Sequence, residues 1–186
     1  DRTREYYAAE GYDKPYRWAH FDEVPFAPLL QPLAESTVTL VSTSDVALKA
    51  ERGRNEQNHN SLAGNVYSLA SATPAADLYS MQEHYDANAT HLDDVNSYFP
   101  ISRLREAAKA GRIGAVAARM HGVYTSYSHR KTLEVDGPEV LRRCREDGVD
   151  VAVMTPVCPV CHQTISLVAR YLEANGMPTV VIASAR

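Results

Sequence analysis

No apolar run in this chain approaches the ~20 residues that a membrane-crossing helix requires, so a bilayer span is not expected. The opening Asp1-Arg2-Thr3-Arg4-Glu5 lacks the apolar centre of a secretory signal. A long basic run is missing too and the net charge is −4, which argues against nucleic acid as a partner. The sequence carries no glycine-rich nucleotide fingerprint, so no dinucleotide is expected. It shows no internal repeat. Its three cysteines are too few for a disulfide framework, and a reducing cytoplasm fits that number best.

What is present is a composition able to fold. Hydrophobic residues make up 45% of 186 positions, enough for one α/β domain with its own core. Residues 1–36 read as an irregular arm, because Pro15, Pro25, Pro28 and Pro32 repeatedly interrupt regular hydrogen bonding. Residues 37–186 read as the domain. Thr37 to Val41 is a β-branched strand, and Asn65 to Leu69 a shorter one. Glu51 to Asn60 is a polar excursion, and 71–100 reads mostly as loop. Ser102 to Ala110 reads as a helix stopped by Gly111, and Pro138 to Asp147 as another stopped by Gly148. Ile113 to Ala118 fits either a buried strand or a helical turn.

The last third is the most legible. Val149 to Met154 is a buried-type strand and Pro159 to Ala174 a helix, with Ile165, Val168, Ala169 and Leu172 on one face. Asn175-Gly176 ends it, Pro178 blocks continuation, and Thr179 to Ala183 is the next strand. This βαβ unit predicts an open, mostly parallel sheet with flanking helices, a Rossmann-like or flavodoxin-like three-layer sandwich.

Cys158-Pro-Val-Cys-His162 falls where that strand hands over to that helix. Ligands in open α/β sheets bind beyond the carboxyl ends of strands. Pro159 suits the first helical position, which makes Cys158 the N-cap and Cys161 the third helical residue. Unpaired amides and the positive helix end favour a thiolate there, and such settings bring cysteine pKa values from ~8.5 into the ~3.5–7.5 range. One sulfur is thus suited to attack and the other to resolution. Three other readings stand beside this one: a metal ion held by Cys158, Cys161 and His162, c-type haem attachment, and plain packing at a helix start.

A loop rich in ionisable groups supplies further candidates. His91, Asp93 and His162 are candidates for moving protons, and Asp94 and Asn96 for contacting substrate. His84 is a weaker candidate of the same type. His121 precedes Gly122, where a ligand can approach the backbone closely. Ser42 and Thr43 follow the first strand at the same sheet edge and are either ligand contacts or the start of a turn. Cys144 reads as core, and His20, His59 and His129 as surface.

The stretch Asp147-Gly-Val-Asp-Val-Ala-Val-Met-Thr-Pro-Val-Cys-Pro-Val-Cys-His-Gln-Thr resembles the glycine/sarcosine/betaine reductase selenoprotein B family and the related proline reductase subunit. So does Asp93-Asp-Val-Asn-Ser-Tyr-Phe-Pro-Ile-Ser-Arg-Leu-Arg. In that family the position matching Cys158 is often selenocysteine, which attacks a carbon beside an amine leaving group, and Cys161 matches the cysteine that follows. This chain has Cys158 instead, and a thiol needs activation where a selenolate does not. The resemblance implies a thiol-dependent oxidoreductase or related enzyme acting on a small nitrogen-containing substrate; a thiol reductant is one candidate cofactor. The alternatives are a metal-binding protein using the same Cys/His cluster, or a noncatalytic subunit of a reductase complex. Trp18, Phe21 and Phe26 have no clear place in a single layer, so a homodimer or a larger assembly is expected, with residues 12–30 in the interface.

Overall fold

The computed structural model describes residues 2–11, 17–52, 65–83, 85, 88 and 91–183. Its longer helices are α1 (Arg2–Ala9), α2 (Ile101–Lys109), α3 (Gly137–Glu146) and α4 (Pro159–Ala174), and a helical turn, His129–Lys131, followed by a π-helical stretch, Thr132–Asp136, leads into α3. Its strands are β1 (Thr37–Ser42), β2 (Val46–Leu48), β3 (Val66–Ala70), β4 (Leu78–Ser80), β5 (Ala115–Val116), β6 (Arg119–Val123), β7 (Val151–Thr155) and β8 (Thr179–Val181).

The main sheet runs β3-β6-β1-β7-β8, with the short β5 also on β1. All its pairings are parallel except that of β3, which lies antiparallel along β6 at one edge. The expected α/β class is therefore correct. Helix α2 packs on one face, over Val38, Leu40, Met120 and Val151. Helices α3 and α4 cover the other, over Val41, Val123, Ala152 and Met154. With both faces covered, β1 is buried along nearly its whole length, which explains its unbroken apolar reading.

Several elements depart from the sequence expectation, among them α1, a helix within the arm expected to be irregular. Residues 71–100 contain β4, which pairs antiparallel with β2 in a separate two-stranded sheet. The ambiguous Ile113 to Ala118 holds only two strand residues, and the main partner of β1 on that side is β6, whose polar Arg119, His121 and Gly122 hid it. Gly111, Gly148 and Gly176 adopt φ of 66°, 63° and 80°, the left-handed helix terminations their positions imply.

The arm lies along α4 of its own chain. Ala19 N–H donates to Gln163 Oε1 at 2.9 Å, Ala27 N–H to Glu173 Oε2 at 2.5 Å, and the Arg170 guanidinium stacks on Phe21 at 4.0 Å. Trp18, Phe21 and Phe26 nevertheless stay exposed. No helix among the described residues is long and apolar enough to cross a membrane.

From β1 the chain crosses through α2 to β6, on one side. From β7 it crosses through α4 to β8, on the other. Since β1 and β7 are neighbours, their carboxyl ends form a topological switch point, the place where such sheets bind ligands.

Candidate functional site

Cys158 follows β7 at that switch point. Its backbone is extended (φ −102°, ψ 165°), Pro159 starts the helix, and the sulfur accepts the Cys161 N–H at 3.1 Å. The expected N-cap geometry is present. The Cys158 and Cys161 sulfurs are paired as a disulfide, with Cα atoms 4.8 Å apart. Both residues are buried, Cys158 at 5% exposure and Cys161 at 0%.

Three elements converge on the Cys161 sulfur. Thr125 Oγ1 lies 3.1 Å away, Gln82 Nε2 donates from 3.5 Å, and the Thr43 carbonyl oxygen is at 3.4 Å. In the dithiol state the carbonyl can accept the S–H, while the amide and hydroxyl can donate to a thiolate. Gln82 is itself held by Asp45, whose Oδ2 accepts from the same Nε2 at 3.2 Å. Asp45 is buried and is the one non-glycine residue at positive φ, 47°, among the described residues. Asp45, Gln82 and Thr125 were not foreseen. Asp45 directly extends the Ser42-Thr43-Ser44 run at the sheet edge, a signal that could have found it. Gln82 had none.

Ser42 and Thr43 are fully buried. Ser42 Oγ lies 2.9 Å from the Thr155 carbonyl and 2.7 Å from Ser44 Oγ, so it ties β1 to β7. Thr155 Oγ1 donates to the Tyr98 carbonyl at 2.8 Å, and Ser44 Oγ to the same oxygen at 3.3 Å. The loop before α2 is thereby fixed over the cysteine end of the sheet.

The other expected residues lie in different settings. His162 turns Nδ1 to the Cys158 carbonyl, 2.7 Å away, beside the disulfide. It also lines a cleft of about 330 Å³ with Trp18, Phe21, Leu167 and Arg170. His91 and Asp93 pair at 3.4 Å in solvent, 77% and 92% exposed. Asp94 accepts from Asn96 N–H at 2.9 Å and from its Nδ2 at 3.1 Å, and the backbone bond holds its carboxyl below the usual range. Asn96 Oδ1 in turn accepts Ser102 N–H at 3.0 Å, at the start of α2. Asp94 and Asn96 therefore build a turn and cap a helix. His84 lies outside the described residues.

His121 is 1% exposed and faces α3 rather than the cysteines. Its Nδ1 is 2.9 Å from Ser68 Oγ and its Nε2 3.4 Å from Asp147 Oδ2. Burial drives its pKa down to about 4 against the pull of Asp147. The close approach at Gly122 is made by the Tyr67 ring, which lies where a Cβ would stand and reaches on to accept Val46 N–H at 2.6 Å. Cys144 is core, as expected. Among the described residues no three His, Cys, Asp or Glu side chains converge as a metal site, and His162 shows no convergence with the two sulfurs.

These features define an α/β protein with a paired Cys-x-x-Cys at the switch point of a mostly parallel sheet. The family model described as glycine/sarcosine/betaine reductase selenoprotein B matches residues 6–157, ending one residue before Cys158, and the chain belongs to that family. It is 33% identical over 162 residues to D-proline reductase subunit gamma of Acetoanaerobium sticklandii, covering 86% of this chain and 64% of that protein. It is 24% identical over 180 residues to sarcosine reductase complex component B subunit beta of Peptoclostridium acidaminophilum, covering 94% of this chain and 40% of that protein. The chain thus spans less than two thirds of either relative. No solved structure shows a significant match.

Proposed function

We propose that this chain is the thiol-bearing part of a reductase complex of the proline/sarcosine/betaine type, acting on a small nitrogen-containing substrate through Cys158 and Cys161. The observation that carries the reading is the vicinal cysteine pair at the sheet's switch point, with Cys158 at a helix N-cap. The relatives' names supply the substrate class and the membership of a complex. A cytoplasmic location is part of the same reading.

The chemistry balances as a two-electron reduction. The Cys158 thiolate attacks the carbon bearing nitrogen, so a C–S bond forms as the C–N bond breaks. The amine leaves with the electron pair and takes a proton, for which His162, next to Cys161 in the chain, is our candidate donor. The Cys161 thiolate then attacks the Cys158 sulfur. The S–S bond forms, the C–S bond breaks, and the carbon keeps the electron pair and takes a second proton. The dithiol ends as a disulfide, and an external thiol reductant restores it.

The test is reductant-dependent amine chemistry with D-proline and sarcosine as probes, using the chain with its complex partners. Cys158→Ser should abolish turnover, and Cys161→Ser should leave the substrate carbon attached to Cys158, detectable by peptide mass. Turnover by Cys158→Ser at the wild-type rate would overturn the reading. Burial of both sulfurs favours a second reading, a noncatalytic subunit, which predicts no adduct in any variant.

A further inference from the structure

The hydrogen bonds around Cys161 carry more than its pairing with Cys158. The Gln82 side-chain nitrogen has two hydrogens. One contact runs to Asp45 Oδ2 at 3.2 Å and the other to the Cys161 sulfur at 3.5 Å. An ionised carboxylate only accepts, so Asp45 requires the nitrogen of Gln82, not its oxygen, at this place. The second hydrogen is then committed to sulfur. Gln82 is only 8% exposed and Asp45 3%, so the amide is enclosed rather than solvated.

Asp45 is itself fixed by the chain. Its φ of 47° is costly for a residue with a Cβ, and it occupies the turn between β1 and β2. Its carbonyl accepts Met81 N–H at 2.9 Å, which brings the segment carrying Gln82 alongside. Ser80 Oγ donates to the Ser44 carbonyl at 2.5 Å and accepts Gln82 N–H at 3.0 Å, so the backbone on both sides of the amide is tied. The β2–β4 pair, which adds nothing to the main sheet, is what sets the two segments at this spacing.

We infer that Asp45 and Gln82 form a positioning relay that aims an amide donor at Cys161 and so stabilises its thiolate in the dithiol state. The two cysteines then have separate devices. Cys158 has the helix N-terminus and the Cys161 N–H, whereas Cys161 has the Gln82 amide and the Thr125 hydroxyl. This deepens the proposed thiol chemistry and rests on it: an ionised Cys161 is the species that attacks the Cys158 sulfur in the resolving step. Asp45 and Gln82 are positioning residues, since each acts through the sulfur rather than on a substrate.

Other titratable groups lie nearby. Asp45 opposes a thiolate by its charge, and burial together with that charge raises Tyr67 and Tyr124 above their usual range. Burial raises Tyr98 to about 12. All three tyrosines are therefore neutral across the range in which a thiol titrates, and on the helix itself His162 stands next to Cys161. A change in the thiol titration that follows substitution of Gln82 is then assigned to the amide, not to these neighbours.

The test needs no substrate. The fully reduced protein is titrated by thiolate absorbance, and its disulfide is equilibrated with dithiothreitol. Gln82→Ala should raise the Cys161 midpoint by about one pH unit, since a hydrogen bond to a charged acceptor is lost. Losing thiolate stabilisation favours the disulfide, so reduction should become harder by about tenfold at a pH where the wild-type thiolate is populated. Gln82→Glu, which sets an acceptor against sulfur, should shift both further the same way. Asp45→Asn frees the amide to turn over but also removes a charge that opposes the thiolate, so it should shift them in that direction by less than Gln82→Ala does. Circular dichroism confirms folding of each variant, and Gln82→Glu keeps the side-chain volume if Gln82→Ala loosens the loop. Folded variants with wild-type midpoints and equilibrium would overturn the relay. Absence of any reversible disulfide in the wild type would instead sink the proposed function.

Discussion

Buried side chains show how the same burial serves different ends. Burial pushes the Cys144 thiol up to about 12, whereas Cys158 has a helix N-terminus to stabilise its thiolate. After reduction, alkylation across a pH series with peptide mapping should label Cys158 before Cys144. Equal or faster labelling of Cys144 would remove the N-cap argument. His121 carries the opposite sign of charge. Its folded pKa of about 4 lies below the ordinary 6.5, so between these values the unfolded chain binds a proton that the folded chain does not. Stability therefore falls as pH drops from 6.5 towards 4, by about 3 kcal/mol over the window. Denaturant melts at pH 7 and pH 4.5 should show that loss, and it should shrink in His121→Asn. An equal loss in both proteins would assign the acid sensitivity elsewhere.

At the scale of elements, position along the chain decided what could be read. Helix α4 was legible to the residue because Pro159 opens it, Asn175-Gly176 closes it, and its apolar face repeats over four turns. Strand β6 was hidden because Arg119 and His121 satisfy their polarity through Asp147, Glu146 and Ser68, which are distant in sequence. The Cys158 half of the site came from local capping rules. The Asp45–Gln82 half depends on a two-stranded pairing that no local pattern announces. The same distinction bears on Asp94 and Asn96, expected as substrate contacts: Asp94 caps the short turn Val95–Ser97, and Asn96 Oδ1 accepts at the start of α2. Asn96→Ala should cost about 1 kcal/mol of stability, the usual value of a lost helix-start acceptor, measured by urea unfolding. Gly122→Ala should cost more, about 2 kcal/mol, because the added methyl meets the Tyr67 ring across β3 and β6. A stable Gly122→Ala protein with Tyr67 unmoved would show that this ring has room to yield.

At the scale of the whole molecule, the arm poses an unresolved burial. It is anchored on α4 through Gln163, Arg170 and Glu173, yet Val24, Phe26 and Leu30 remain 85%, 82% and 92% exposed. Its backbone is held while these three side chains face outward, and Val180 and Ile182 at the β8 end of the sheet are exposed as well. Large exposed apolar patches are uncommon on monomers and mark contacts with other chains. Assembly through the arm, most simply as a two-fold dimer, follows as the whole-molecule expectation. Sedimentation at micromolar concentration should give a dimer or larger species for the intact chain and a smaller one once residues 1–30 are removed. Replacing Val24, Phe26 and Leu30 together by serine should have the same effect while leaving the α4 anchors in place, which separates loss of an interface from loss of the arm. If the intact chain and both variants all sediment as monomers, the arm serves only its own subunit and the exposed side chains play no part in assembly.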